Sequence, residues 1–179
     1  MSLPHAILTA LTERPTTGAG LARRFERSIG YFWQATHQQI YRELGRLEEA
    51  GWIASEPVEQ GPGRQRAWHV LPAGREELRR WTGSDLGPRV VRDAFFVRLR
   101  AEAALGDSDL HEQIRERMDE ERRMLAHYRE IEARDFPGRQ ATRGQKLQHL
   151  VLRSGIQMAS QRIELYREAL RILGKPAGR

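Results

Sequence analysis

Apolar positions are distributed differently in the two halves of the chain. Up to about Gly83 the apolar runs are short and mixed, and from about Arg89 onward long, charged helical patterns dominate. In the first half, Ile7, Leu8 and Leu11 lie one turn apart and predict a short helix that stops near Arg14-Pro15, where proline has no amide to donate. Thr17 precedes a second helical pattern with Leu21 and Phe25 at i and i+4. A third helix is predicted from about Gln34 to Ala50, with Ile40, Leu44 and Leu47 as its apolar stripe and Gly51 as its stop. Trp52 to Glu59 and Gln65 to Val70 are β-like runs around the turn Gln60-Gly61-Pro62-Gly63, which together read as a hairpin. Pro57 confines its strand to an edge, because it cannot donate to a ladder on both sides. A fourth helix from about Ala73 to Trp81 closes this unit. Three helices followed by a hairpin is the order of a winged helix-turn-helix, in which the third helix enters the major groove and the hairpin lies along the backbone.

In the second half, Asp107 to about Arg134 carries Leu110, Ile114, Met118, Leu125 and Tyr128 on one side, with Asp107 as N-cap, and Phe136-Pro137-Gly138 breaks the chain. From Thr142 to Leu173 a longer helix carries Leu152, Ile156, Ala159, Ile163, Tyr166, Leu170 and Leu173 in alternating steps of four and three. That is the spacing of a coiled-coil seam, and these residues are assigned to a dimer interface. A neighbouring stripe, Leu147, Val151, Met158, Leu165, Ala169 and Ile172, follows a similar course. One helix with two apolar stripes has more to bury than one neighbour covers, so one stripe is expected within the chain and the other across a homodimer, against the plainer reading of an ordinary three-helix core. The reading is therefore mainly α with a small β-hairpin: a winged helix-turn-helix domain over 1–83, a linker over 84–88 and an α-helical dimerisation domain over 89–179.

With Ile40, Leu44 and Leu47 pointing inward, the opposite face of the third helix carries Ala35, Gln38, Arg42, Gly45 and Arg46, flanked by Gln34 and Tyr41. Glutamine can read adenine with two hydrogen bonds, arginine can read guanine or grip phosphate, and the small residues allow close approach. His37, between the two faces, reads as a partly buried structural histidine ahead of a DNA contact, and Phe32 and Trp33 as core or as a staple at the helix start ahead of wedges against the DNA backbone.

Charge changes the picture mainly through its placement. The whole chain of 179 residues carries +6, with 30 basic against 24 acidic residues, while residues 1–82 carry only +2 (11 basic, 9 acidic). No acid occurs between Glu26 and Glu43, where Arg27 and Arg42 lie, or between Glu59 and Glu76, where Arg64, Arg66 and Arg75 lie. These windows coincide with the start of the third helix and with the wing tip, which points to a polyanion.

Other chemistry has little support. There is no cysteine, so disulfides, thiol nucleophiles and thiolate metal sites are excluded, and a reducing, cytoplasmic setting is the default. The six histidines (His5, His37, His69, His111, His127 and His149) lack metal-ligand spacing, so no metal and no cofactor is expected. No Gly-x-Ser-x-Gly elbow occurs, and Gly18-Ala19-Gly20 and Gly61-Pro62-Gly63 lack the third glycine of a dinucleotide loop. Paired acids such as Glu48-Glu49 and Glu120-Glu121 are adjacent on helices and cannot converge on one substrate. An enzyme is not expected. No window approaches the roughly 18 apolar residues of a membrane span, and Met1 to His5 lacks the features of a secretory signal.

Ile40-Tyr41-Arg42-Glu43-Leu44, Arg46-Leu47-Glu48, Gly51-Trp52-Ile53, the wing and Pro72-Ala73-Gly74-Arg75 together resemble the PadR family of bacterial transcriptional regulators. Phe32-Trp33-Gln34-Ala35-Thr36-His37 is similar to its shorter-tailed second subfamily, whose C-terminal part is related to the virulence-activator α-helical domain. The resemblance covers residues 5–81 strongly and 89–173 mainly in layout. It implies a homodimeric repressor that binds double-stranded DNA and is often released by a small aromatic or drug-like effector. It places Tyr41, Arg42, Arg64 and Arg66 on DNA, beside Gln34, Gln38 and Arg46 from the helix pattern. Trp81, Phe95 and Phe96 are candidates for an effector pocket, against the plainer reading of core. One departure is that the second helix of the family opens with Gly-Tyr, where this chain has Gly18-Ala19-Gly20. The competing reading is a winged helix that uses its third helix as a protein-docking surface without DNA.

Overall fold

The computed structural model describes residues 3–29, 33–58, 65–87, 92–106, 110–136, 138 and 141–174, apart from the side chains of Arg27 and Ser28. Phe32, Arg64 and the expected N-cap Asp107 lie outside the described residues. The chain divides into two compact units, Met1–Pro88 and Arg89–Arg179.

The first unit runs α1 (Leu3–Glu13), β1 (Thr16–Thr17), α2 (Gly18–Arg24, continued by a π-helical turn Phe25–Ile29), α3 (His37–Glu49), β2 (Ile53–Pro57), β3 (Arg66–Val70) and α4 (Pro72–Thr82). The expected hairpin is part of a three-stranded antiparallel sheet in the order β1-β3-β2. Thr16 pairs with Trp68 and Thr17 with Ala67, while β2 pairs with β3 from Ile53↔Val70 to Pro57↔Arg66. Strand β1 has only two residues, too short for any period-two pattern to betray it in the sequence. Pro57 sits on the edge strand.

The helices close on one core built from Ile7, Leu8 and Leu11 of α1, Leu21 and Phe25 after β1, Ile40, Leu44 and Leu47 of α3, and Ile53 and Val70 of the sheet. Burying each large side chain of this kind is worth about 1.5–3 kcal/mol, so the three from α3 alone fix its rotation about its axis. Arg24 ties α1 to α2: Nη1 donates to the Ala10 carbonyl at 2.6 Å and Nη2 to Glu13 at 2.5 Å. Gly51 has φ +70°, the left-handed conformation that ends α3 and turns the chain into β2. Between α1 and α4, His5 Nε2 donates to Glu77 Oε1 at 3.1 Å, and the His5 ring stacks on Trp81 with centroids 4.3 Å apart. The Arg80 guanidinium, seconded by His5, holds the Glu77 carboxyl down at about 2, from an ordinary 4.5.

The second unit contains α5 (Ala94–Leu105), α6 (Leu110–Asp135) and α7 (Arg143–Leu173). Thr142 and Gln145 form a reciprocal capping box at the start of α7. Arg162 bonds Glu121 at 2.9 Å and His149 bonds Glu132 at 2.5 Å, a pairing in which α6 and α7 run antiparallel. Phe95, Leu110, Ile114, Met118, Ile163, Tyr166 and Ala169 form the core, with Leu170 and Leu173 packed on it.

This packing covers the α7 stripe that the sequence assigns to the dimer interface. Leu152, Ala159, Ile163 and Tyr166, assigned to the dimer interface, are no more than 5% exposed, Leu170 and Leu173 pack on the same core, and Ile156 is half-buried. They are covered within the chain by α6 and α5, so they are not the free surface. The exposed apolar side chains are Leu147, Leu150, Val151, Met158 and Ile172. Val151, Met158, Leu165 and Ile172 recur every seven residues, with Leu165 turned partly inward.

Candidate nucleic-acid interface

Helix α3 begins later than its apolar pattern suggests. Thr36 is the N-cap: its Oγ1 accepts from the Gln39 amide at 3.2 Å, and Gln39 Oε1 accepts from the Thr36 amide at 2.8 Å. This capping box satisfies two amides that would otherwise be unpaired, and so sets the start at His37. Gln34 and Ala35 therefore lie before the helix; Gln34 is exposed, while Ala35 packs against the core and does not belong to the outward face. His37 departs from expectation as well. It is exposed in the first turn, with Nε2 2.7 Å from Glu26 Oε1, because starting the helix at His37 turns the ring outward.

The outward face of α3 carries Gln38, Tyr41, Arg42 and Arg46, all exposed, around Gly45. Among the described residues Arg42 has no ion-pair partner. Arg46 is held only loosely, with Nη1 3.5 Å from Glu43. An Ala-sized side chain at Gly45 would meet nothing within 4 Å, so the middle of this face is bare backbone. A helix with one face buried and the other offering an amide, a phenol, two guanidiniums and an open centre can present donors to base edges and phosphates.

The wing contributes differently from expectation. Arg66, at the start of β3, turns its guanidinium back: Nη2 donates to the Ser55 carbonyl at 3.1 Å and lies 3.7 Å from Glu48. Ser55 Oγ also donates to Glu48 Oε1 at 2.6 Å. Arg66 thus braces the wing against the C-terminal turns of α3 while its side chain stays 56% exposed. No local pattern marks this brace, since Glu48 and Arg66 are far apart in sequence. Another contact missed from the sequence is that of Tyr41 with Gly18 at the start of α2. Its signal was there in the unusual Gly18-Ala19-Gly20 opening.

Of the effector candidates, Trp81 is engaged by His5 in the first unit. Phe95 is buried in the second, edge-on to Tyr166 at 4.9 Å, as the plainer core reading has it, while Phe96 is 47% exposed. The first unit has a cleft of about 430 Å³ lined by Thr12, Arg75, Leu78, Arg79, Thr82 and Gly83, none of them a candidate. Among the described residues no cluster of His, Asp or Glu could hold a metal ion, and no helix is long and apolar enough to cross a membrane.

Comparison with known proteins gives this geometry a lineage. The chain is 40% identical over 178 residues to a probable transcriptional regulator of Mycobacterium tuberculosis, covering 92% of this chain and 93% of the relative. Its fold matches the structure of the Vibrio cholerae virulence activator AphA with a TM-score of 0.79 at 35% identity, covering 96% of this chain and 98% of that one. It also matches Bacillus subtilis PadR in complex with operator DNA, at a TM-score of 0.80 and 20% identity, over 97% of this chain and 100% of that one. The same Bacillus protein in complex with p-coumaric acid matches at 0.75 and 19%, over 98% of this chain and 100% of that one. Residues 7–80 match the transcriptional regulator PadR-like family and residues 91–174 the virulence activator alpha C-terminal family. The chain therefore belongs to the PadR-like family of transcriptional regulators, which are not enzymes, and it carries the virulence-activator type of C-terminal part.

Proposed function

We propose that this regulator binds a (pseudo)palindromic operator as a homodimer and represses transcription, with α3 of each protomer in the major groove. Residues 1–83 read the DNA and 89–179 hold the two copies together. In this reading Gln38, Arg42 and Arg46 address base edges and phosphates, Tyr41 contacts the duplex beside them, and Gln34 meets the backbone at the entry to α3. Arg64 and Arg66 neutralise phosphate along the wing, with Arg66 also serving as the brace to Glu48. The observation that carries the reading is the division of α3: Ile40, Leu44 and Leu47 are at most 2% exposed, while on the opposite side, beside bare Gly45, Arg42 is exposed and has no ion-pair partner among the described residues. An exposed guanidinium with no partner is solvated in the free protein and keeps its full capacity for a base edge or a phosphate, which a duplex supplies. The Bacillus relative solved on operator DNA supports the same use of the fold.

The second unit supports the homodimer reading. Three of the exposed apolar side chains of α7, Val151, Met158 and Ile172, fall with half-buried Leu165 on the seven-residue spacing of a helix seam, with Leu147 and Leu150 beside them, and a second copy covers this face. Two copies of α3 then meet half-sites about 34–36 Å apart, one turn of the duplex. A small aromatic effector that favours one arrangement of the two units over the other releases the DNA, in keeping with the relative that binds p-coumaric acid. The protein works where the chromosome lies, in the bacterial cytoplasm.

The test is fluorescence anisotropy on duplexes recovered from genomic DNA, titrated with salt. Binding through phosphates weakens steeply, with a log-log slope of about −0.9 per phosphate neutralised. Arg42→Ala loses affinity and base preference together, about 1–3 kcal/mol. A salt-insensitive interaction, or retention of a protein instead of DNA, overturns the reading in favour of a docking module. Added p-coumaric acid tests the effector class separately.

A further inference from the structure

Three glycines surround α3, each with a different physical reason. Gly51 is needed for its positive φ, and Gly45 leaves the helix surface open. Gly18, the first residue of α2, has neither property: its φ is not positive, yet a Cβ built on it would lie 2.5 Å from Tyr41 Cε1, 2.9 Å from Cζ and 3.0 Å from the hydroxyl oxygen. The space a side chain would occupy is filled by the phenol ring of α3. Tyr41 is 50% exposed, and Gly18 lies against the far end of its ring.

The platform under the ring is itself anchored. Thr17, immediately before Gly18, caps α2 by accepting from the Gly20 amide at 3.1 Å. It also pairs with Ala67 on β3, the central strand, whose other edge carries the wing partner β2. A continuous path of backbone therefore runs from the wing sheet through β1 to Gly18, and the Tyr41 ring rests at its end.

We propose that Gly18 is a positioning residue for DNA read-out: by having no side chain it seats the Tyr41 ring, holding the phenol hydroxyl in one place relative to α3 and the wing. This rests on the DNA-binding reading and adds a residue whose side chain is absent and which no helix-face pattern selects. The atoms in the way of a methyl group are the far end of a side chain with two rotatable bonds, not backbone. Gly18→Ala therefore moves the ring rather than the fold, and alanine is a better helix former at this position.

The experiment uses the full chain with a double-mutant cycle of Gly18→Ala and Tyr41→Ala. Each variant is measured on the duplex that the wild type selects from genomic DNA and on a panel with single base-pair changes. Gly18→Ala is expected to unfold at or above the wild-type temperature, and to bind the selected duplex about tenfold more weakly, the order of one lost polar contact. It is also expected to flatten preference at the same base pairs as Tyr41→Ala, and the double variant is expected to match Tyr41→Ala alone. Unchanged affinity and preference in Gly18→Ala overturn the proposal while leaving DNA binding intact. A further Gly18→Ala loss in the Tyr41→Ala background overturns it too, since the effect then bypasses the ring, as does a fall in Tm that removing the ring fails to restore. A wild-type chain that prefers no duplex overturns the DNA-binding reading itself, and the proposal with it.

Discussion

Replacing Gly45 by alanine tests whether the outward face of α3 enters a groove, because the two states of the protein should respond in opposite directions. Gly45 lies in the interior of α3, and an added Cβ has no neighbour within 4 Å. In the free protein the substitution removes the helix penalty of glycine without displacing anything, a gain of about 0.8–1.0 kcal/mol. For a unit the size of Met1–Pro88 that corresponds to a rise in Tm of roughly 5 °C. If that face enters the groove, the same methyl stands between the helix backbone and the duplex. Overpacking at such a site costs about 1–3 kcal/mol, which is roughly a fivefold to 150-fold loss of affinity. Thermal unfolding by circular dichroism and anisotropy at one fixed salt concentration read the two effects separately. Gly51→Ala is the control with the opposite sign in stability, since a residue with a side chain at φ +70° costs about 1–2 kcal/mol. A Gly45→Ala protein that gains stability and keeps full DNA affinity would refute the docking of this face. One that loses stability would refute the claim of open space around it.

Three further outcomes are expected. Glu77 sits at about 2 in the folded chain against 4.5 ordinarily, so it stabilises the first unit above pH 4.5 and that contribution is lost as pH falls from 4.5 towards 2. Glu77→Gln should lower Tm at neutral pH and show a shallower acid loss, and parallel acid profiles would count against it. Gly74 of α4 is buried with the Trp52 carbonyl directly over it, where backbone cannot step aside, so Gly74→Ala should cost about 1–3 kcal/mol and lower Tm without altering base preference. Leu150 is 60% exposed on α7 and Ile163 is 5% exposed; Leu150→Glu should give a helical monomer in analytical ultracentrifugation, whereas Ile163→Glu should reduce helix content. A Leu150→Glu protein that still sediments as a dimer removes α7's exposed stripe from the interface.

How much could be read ahead of the structure varies by residue. The face of α3 was legible because Ile40, Leu44 and Leu47 leave only one rotation for the helix, which turns Gln38, Arg42 and Arg46 outward. The apolar stripe places the start of α3 near Gln34, three residues before His37, because it is silent about caps and the Thr36–Gln39 box decides where the backbone turns. His37 was misplaced for the same reason. Strand β1 and the π-helical turn at Phe25–Ile29 are too short to carry a period, and α5 has little amphipathicity, since of its aromatic pair only Phe95 is buried.

Periodicity and turn chemistry in the chain alone determined the order of α1 to α4 with the hairpin before α4, the two long helices α6 and α7, the division into a mixed and a helical half, the polar face of α3 and the presence of two apolar stripes on α7. These depend on neighbours within a few residues, which the sequence places side by side. Only the tertiary structure decided which α7 stripe is covered, because that depends on the side from which α6 and α5 approach. It alone showed Arg66 turned back to Ser55 and Glu48, and the Tyr41 ring resting on Gly18. Such contacts join residues from separate elements, and their geometry is set by how the core closes, a many-body outcome that no local pattern encodes.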